Sequence, residues 1–216
     1  MDNYFQVVFL SESGTGAKTS LITRIMTNKF DDCSSTVSAQ YCEKIIKNDL
    51  GNEIKLKMWD TPGQERYRAL HHIFIKDSHC VILGYDITNK RSFTEIESYH
   101  YPKVKGILGD FPLIYLVANK IDLLRSSEVL DEEAEIYAER NNMKFFRVSA
   151  YTGEGVNCLM KDIAKSLTEK FILKNKITES KAKIVFNRSK RAVKNIDYEN
   201  KFINKNLYKL TKFLNY

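Results

Sequence analysis

The stretch SESGTGAKTS, residues 11–20, decides how this chain is read. It places two glycines and a Lys-Thr pair directly after the apolar run FQVVFL (5–10), and an amphipathic stretch, 18–28, follows it. A glycine-bearing turn between a buried strand and a helix is the setting in which backbone N–H groups can cradle phosphate. Laid without gaps on the pattern G-x-x-x-x-G-K-[ST], however, the stretch puts Glu12 and Ala17 where the glycines belong. Taken alone, it is either a nucleotide loop that has drifted or an ordinary surface turn.

The sequence on either side narrows the choice. FQVVFL predicts a buried strand and residues 18–28 a helix. YCEKIIK (41–47) and EIKLKMW (53–59) alternate apolar and polar residues around NDLGN, which predicts a hairpin. CVILGYD (80–86), PLIYLVAN (112–119) and FFRVS (145–149) are short apolar runs, each followed by helical sequence. Strands alternating with helices, with one hairpin, predict an α/β fold: a doubly wound, mostly parallel six-stranded sheet flanked by helices. Ligands of such sheets sit beyond the carboxyl ends of the strands.

Four short motifs fall at those ends. SESGTGAKTS follows the first strand, and WDTPGQER begins 41 residues after Lys18 at the end of the hairpin. NKID (119–122) ends the next-to-last apolar strand and VSA (148–150) the last. Any one of them is as easily a polar turn. Four in this order, all at strand ends, make chance a poor explanation.

With these motifs the chain resembles the Ras superfamily of small GTPases, nearest the Rab branch, over residues 4–171. TVSAQY (36–41), WDTPGQERYR (59–68) and YDITNKRSF (85–93) carry the Rab character. The resemblance implies a P-loop GTPase fold, GTP or GDP as ligand, and Mg²⁺. It also aligns Ser11 to Gly16 with the family's G-D-S-G-x-G and leaves Ala17 as an insertion before Lys18. Ser13, Gly14, Thr15, Gly16, Ala17, Lys18, Thr19 and Ser20 are then the phosphate loop. Gly14 and Gly16 can turn the backbone, Lys18 supplies a point charge for the outer phosphates, and Thr19 a hydroxyl for Mg²⁺.

The resemblance further implies that Asp122 accepts two N–H bonds from the guanine edge, a pattern adenine cannot offer. Asn119 and Lys120 brace the pocket, Ser149 is a further nucleotide-binding residue, the Ala150 amide meets the guanine oxygen, and Phe30 stacks edgewise. Tyr151 stands where the family usually has Lys. Thr36 and Asp60 complete the metal set with Thr19, Gly63 donates its amide to the γ-phosphate, and Gln64 with Thr36 serves catalysis. Pro62 replaces the usual Ala. It fixes φ near −65°, removes an N–H and restricts Thr61, so Gln64 is expected to aim poorly.

Composition bounds the rest. With 216 residues, 43% hydrophobic and 28% charged, the chain can bury a full core. Its net charge of +7 is unevenly divided. Residues 172–216 hold 12 Lys/Arg against 3 Asp/Glu, and residues 1–171 hold 22 against 24. A G domain over 1–171 and a basic C-terminal extension over 172–216 are therefore expected. In the extension Ile196, Ile203, Leu207, Leu210 and Leu214 share one helical face among lysines. It reads as a partly disordered solvated segment, as an amphipathic helix on an anionic membrane surface, or as a nucleic-acid arm. The last is disfavoured because no reading module accompanies the charge.

Cys33, Cys42, Cys80 and Cys158 form no CxxC pair and are expected to be buried or partly buried free thiols in a reducing compartment. No basic leader precedes FQVVFL, no apolar run reaches the ~20 residues of a membrane span, and FLNY offers no cysteine to prenylate. A cytoplasmic monomer, peripheral on an intracellular membrane, is expected, with effector, exchange-factor and GTPase-activating partners at residues 30–76 and no nucleic acid. The function implied is a GTP-binding switch in vesicle-mediated transport or signalling, with slow Mg²⁺-dependent hydrolysis. No arginine of the body stands out as an intrinsic charge stabiliser. A scaffold that holds GTP or GDP without useful hydrolysis is the rival reading. A P-loop kinase would need an adenine site and a lid, against which NKID and the switch segments count.

Overall fold

In the computed structural model, residues 4–12, 18–31, 40–47, 51, 53–60, 71–109 and 113–170 are described. The chain divides into two compact units, Met1–Thr168 and Glu169–Tyr216. The first contains β1 (Tyr4–Leu10), α1 (Thr19–Thr27), β2 (Gln40–Lys47), β3 (Glu53–Asp60), α2 (His71–Lys76) and β4 (Cys80–Asp86). α3 (Lys90–Glu95) passes through a π-helical turn, Ile96–His100, into α4 (Tyr101–Leu108). β5 (Leu113–Asn119), a 3₁₀ turn (Ile121–Ser126), α5 (Asp131–Arg140) and β6 (Lys144–Arg147) follow, and α6 (156–170) begins in this unit and ends two residues past its boundary.

The six strands form one sheet in the order β2-β3-β1-β4-β5-β6. Only β2 runs antiparallel, paired with β3 from Gln40↔Asp60 to Lys47↔Glu53. The other neighbours are parallel. This is the doubly wound, mostly parallel sheet that the alternation of runs predicts. Because side chains alternate along a strand, each central strand feeds both faces. Val7 and Phe9 pack with Leu21, Ile22 and Ile25 of α1 and with Leu159 and Ile163 of α6. Val8 and Leu10 turn to the other side, with Ile75, Phe93, Val104 and Ala134. A strand buried on both faces has to be apolar throughout, which is why β4 is wholly buried while β3 alternates.

Two local features depart from the sequence reading. The segment after β5 does not enter a long helix at once. It makes the 3₁₀ turn, in which Leu123 (φ −103°) interrupts the helical path, and only then reaches α5. Cys158 is exposed, unlike the buried Cys80 and half-buried Cys42. It points outward because Leu159, Ile163 and Leu167 set the inward face of α6. Cys33 lies outside the described residues. Burial also pushes the Cys42 thiol up to about 11, so it stays protonated.

The winding direction reverses at β1. Its successors lie at β3 on one side and β4 on the other. Ligands of doubly wound sheets bind at such a point, beyond the strands' carboxyl ends.

Candidate functional site

Five chain segments share this carboxyl edge of the sheet. Lys18 stands at the N-terminal end of α1, after β1, and Asp60 is the last residue of β3, opposite Phe9 of β1. Asp86 closes β4 and pairs in register with Asn119, which closes β5. Ser149 to Tyr151 follow β6. The parallel register aligns these ends, so residues distant in sequence share one edge.

At the phosphate side, Lys18 and Asp60 are 6% and 2% exposed. Lys18 Nζ lies 3.7 Å from Asp60 Oδ1, and the Thr19 hydroxyl donates to Asp60 Oδ2 at 2.8 Å. Burial holds the Lys18 ammonium below the ordinary lysine range, against the opposing pull of Asp60. A buried cation so disfavoured gains when a second anion arrives, and phosphate is the natural one at a helix N-terminus. A hydroxyl and a carboxylate converging beside it are hard oxygen donors, the set Mg²⁺ prefers when phosphates supply the remainder. Among the described residues no cluster of three or more His, Cys, Asp or Glu could hold a metal without such help.

The base side is built around Asn119, which is 1% exposed. Its Oδ1 accepts the Lys120 N–H at 2.8 Å and the Ala150 N–H at 3.0 Å. One side chain thus joins the NKID turn to the loop after β6. Lys120 takes a left-handed conformation, φ 67°, and its Nζ meets Asp86 Oδ2 at 2.6 Å. The same Asp86 accepts from Thr88 N and Oγ1 through Oδ1, so its carboxylate is fixed from both sides. The Ser149 hydroxyl donates to Asp122 Oδ1 and accepts from Thr152 N. Phe30 and Tyr151, 40% and 63% exposed, meet edge to face with ring centroids 5.2 Å apart.

The structure therefore brings together Lys18, Thr19 and Asp60 at one end and Asn119, Lys120, Asp122, Ser149, Ala150, Tyr151 and Phe30 at the other. Ser20 is buried in the first turn of α1. Ser13, Gly14, Thr15, Gly16, Ala17, Thr36, Pro62, Gly63 and Gln64 lie outside the described residues, as does the extension from 171 onward.

Three charged residues at or beside these segments make contacts that the motifs do not announce. Asp86 sits inside the quoted YDITNKRSF, yet nothing in that string says it would meet Lys120. Glu12, 10% exposed, pairs with Arg91 of α3 through Oε1 at 2.8 Å. Arg24 of α1 bonds the carbonyls of Ala150 and Tyr151. Each contact is created by the sheet's winding, and no local spacing announces it.

Comparison with known proteins covers the span of chain that holds these residues. The Ras family model matches residues 6–169. The Ras-related protein Rab-21 of Geodia cydonium is 41% identical over 165 residues, which are 76% of this chain and 71% of that protein. The Ras-related protein Rab-21 of Homo sapiens is 39% identical over 166 residues, 76% and 72% of the two chains. The Ras-related protein Rab-1 of Theileria annulata is 36% identical over 170 residues, 78% and 76%.

Proposed function

The chain belongs to the Ras family, and from that premise we propose that it is a Rab-like guanine-nucleotide switch that hydrolyses GTP slowly. The observation that carries the reading is the pairing of two half-sites on one sheet edge. Lys18, Thr19 and Asp60 form a hydrogen-bonded, cation-bearing cluster at a helix N-terminus, with Lys18 and Asp60 buried. Asn119, Asp122 and Ala150 form a hydrogen-bonded frame beyond β5 and β6. The G domain occupies residues 1–171, and the basic extension 172–216 follows.

In this reading Lys18 binds the outer phosphates, and Thr19, Asp60 and Thr36 hold Mg²⁺. The ion, when bound, neutralises charge on the phosphate oxygens. Asp122 selects guanine, because adenine would leave a desolvated carboxylate unpaired at a cost of roughly 1–3 kcal/mol. Asn119 and Lys120 hold the frame, and Lys120 is itself steered by Asp86. Gln64 orients the attacking water and Gly63 donates to the γ-phosphate. Residues 30–76 present the nucleotide state to effectors, exchange factors and GTPase-activating proteins. The Rab names of the relatives support a role in vesicle transport. Among the described residues no helix is long and apolar enough to cross a membrane.

Pro62 favours the second reading, a guanine-nucleotide scaffold with little hydrolysis. A ring before Gly63 and Gln64 limits how that pair closes, and a misplacement of ~1 Å in a positioned reaction costs about 10²-fold. A partner-supplied arginine provides ~10⁵-fold in such enzymes, or about 7 kcal/mol, so unaided turnover is slow in either case. Two measurements test the proposal. Nucleotide released from the purified protein should be GDP or GTP; adenine nucleotide, or none under Mg²⁺, would sink it. Single-turnover hydrolysis should quicken in Pro62→Ala while GTP affinity holds. An unchanged rate would show that the ring fits the active geometry and would remove the case for the scaffold.

A further inference from the structure

Arg24 lies five residues beyond Thr19 on α1, in the helix's last turn. Its guanidinium makes three bonds, all to backbone carbonyls. Nε donates to the Ala150 carbonyl at 2.6 Å, Nη1 to the Asn28 carbonyl at 2.7 Å, and Nη2 to the Tyr151 carbonyl. Its own carbonyl accepts the Asn28 N–H at 2.9 Å. A basic residue bonding the end of its own helix is common and would account for Asn28. It does not account for two bonds to a loop 126 and 127 residues further along the chain.

Those three carbonyls are the backbone supports of the base-side frame. Ala150 gives its N–H to Asn119 and its carbonyl to Arg24, so that residue is gripped on both sides. Tyr151, the next residue, carries one aromatic ring. Asn28, in the left-handed conformation at φ 56°, turns the chain two residues before Phe30, which carries the other. The two rings meet edge to face at 5.2 Å. A guanidinium is a rigid planar fork, and charged donors to fixed acceptors make the stronger class of hydrogen bond. One side chain therefore fixes the spacing between the two walls.

We infer that Arg24 is the positioning residue of the base site: it holds Phe30 and Tyr151 against one another by bonding the backbone beneath both. It acts through Ala150, Tyr151 and Asn28, and the inference rests on the guanine-nucleotide reading above. The tether governs how readily a bound nucleotide leaves, because the base can withdraw only when the walls part. Lysine cannot replace it, since one ammonium does not span three carbonyls in a plane.

The test follows release of a fluorescent GDP from the full chain by stopped flow, with nucleotide-free thermal melts to confirm folding. Arg24→Ala and Arg24→Lys should each speed release at least tenfold, and Arg24→Lys carries the test if the alanine variant does not fold. In a Tyr151→Ala background, where one wall is already gone, Arg24→Ala should add less than threefold. That non-additivity separates positioning from general stabilisation. Release within twofold of the parent, rescue by lysine, or the same factor in both backgrounds would overturn the inference while leaving nucleotide binding intact. A parent that binds no GDP would instead remove the nucleotide reading, and this inference with it.

Discussion

Asp122 lies in the first turn of the 3₁₀ segment, its Oδ1 accepting the Ser149 hydroxyl. A carboxylate has about four lone-pair sites, so this bond leaves capacity for the two N–H groups of a guanine edge. Asparagine at this position would exchange one acceptor oxygen for a donor amide, which suits a base with a carbonyl in place of the exocyclic amine. Asp122→Asn should shift preference from guanine toward xanthine nucleotides. Competition among GTP, XTP and ATP measures this, and an unchanged GTP preference would show that NKID does not read the base. Lys18, Thr19, Asp60, Asn119 and Asp122 are legible in the sequence because each lies in a short motif at the end of an apolar run. The contacts of Asp86 and Arg24 are not. Their partners are an ammonium and two carbonyls on other elements, and neither a carbonyl nor a remote lysine leaves a mark on local residue pattern.

Elements carry the next constraint, at the loop between β6 and α6. Gly155 sits at φ +72°, and a Cβ there would fall 2.1 Å from the Arg147 carbonyl oxygen, far inside contact distance. The loop can close only because its backbone approaches β6 without a side chain. Ser149 N–H reaches the Glu154 carbonyl at 3.0 Å, and Gly153 N–H reaches the Ser149 carbonyl at 2.8 Å. Gly155→Ala should thus cost about 3 kcal/mol, from left-handed strain and backbone displacement together. Gly51 serves as control. It has φ +78° but, among the described residues, nothing within 4 Å of an added Cβ, so Gly51→Ala should show the backbone strain alone. Urea unfolding of the nucleotide-free variants measures both, and equal losses would refute the role of the close approach. At this scale the strands are legible because burial on both faces demands continuous apolar residues. The 3₁₀ turn is not, since IDLLRS is too short to show a period and its break at Leu123 is a backbone event. The exposure of Cys158 follows from the helical phase of α6, which a count of cysteines does not contain.

For the whole molecule the decisive quantity is how charge is distributed. Residues 172–216 hold 12 basic against 3 acidic side chains, whereas residues 1–171 hold 22 against 24. A near-neutral body with a cationic extension should meet an anionic lipid surface by that extension. Each lysine near such a surface contributes up to about 1 kcal/mol, so several acting together suffice for reversible attachment. The attraction is Coulombic, and with a Debye length of about 10 Å at 0.1 M salt it weakens steeply as ionic strength rises. Apolar residues interleaved with the lysines, such as Ile203, Leu207, Leu210 and Leu214, would add a contribution that salt does not remove. The full chain should therefore sediment with phosphatidylserine vesicles at low salt and lose most, though not all, of that binding at roughly 0.5 M. Residues 1–171 alone should bind little at either concentration, and neutral vesicles should retain little of either protein. Equal retention of the two proteins on anionic vesicles would place the contact on the body and remove the extension from membrane attachment. Full loss at high salt would leave attachment to charge alone and argue against an apolar helical face.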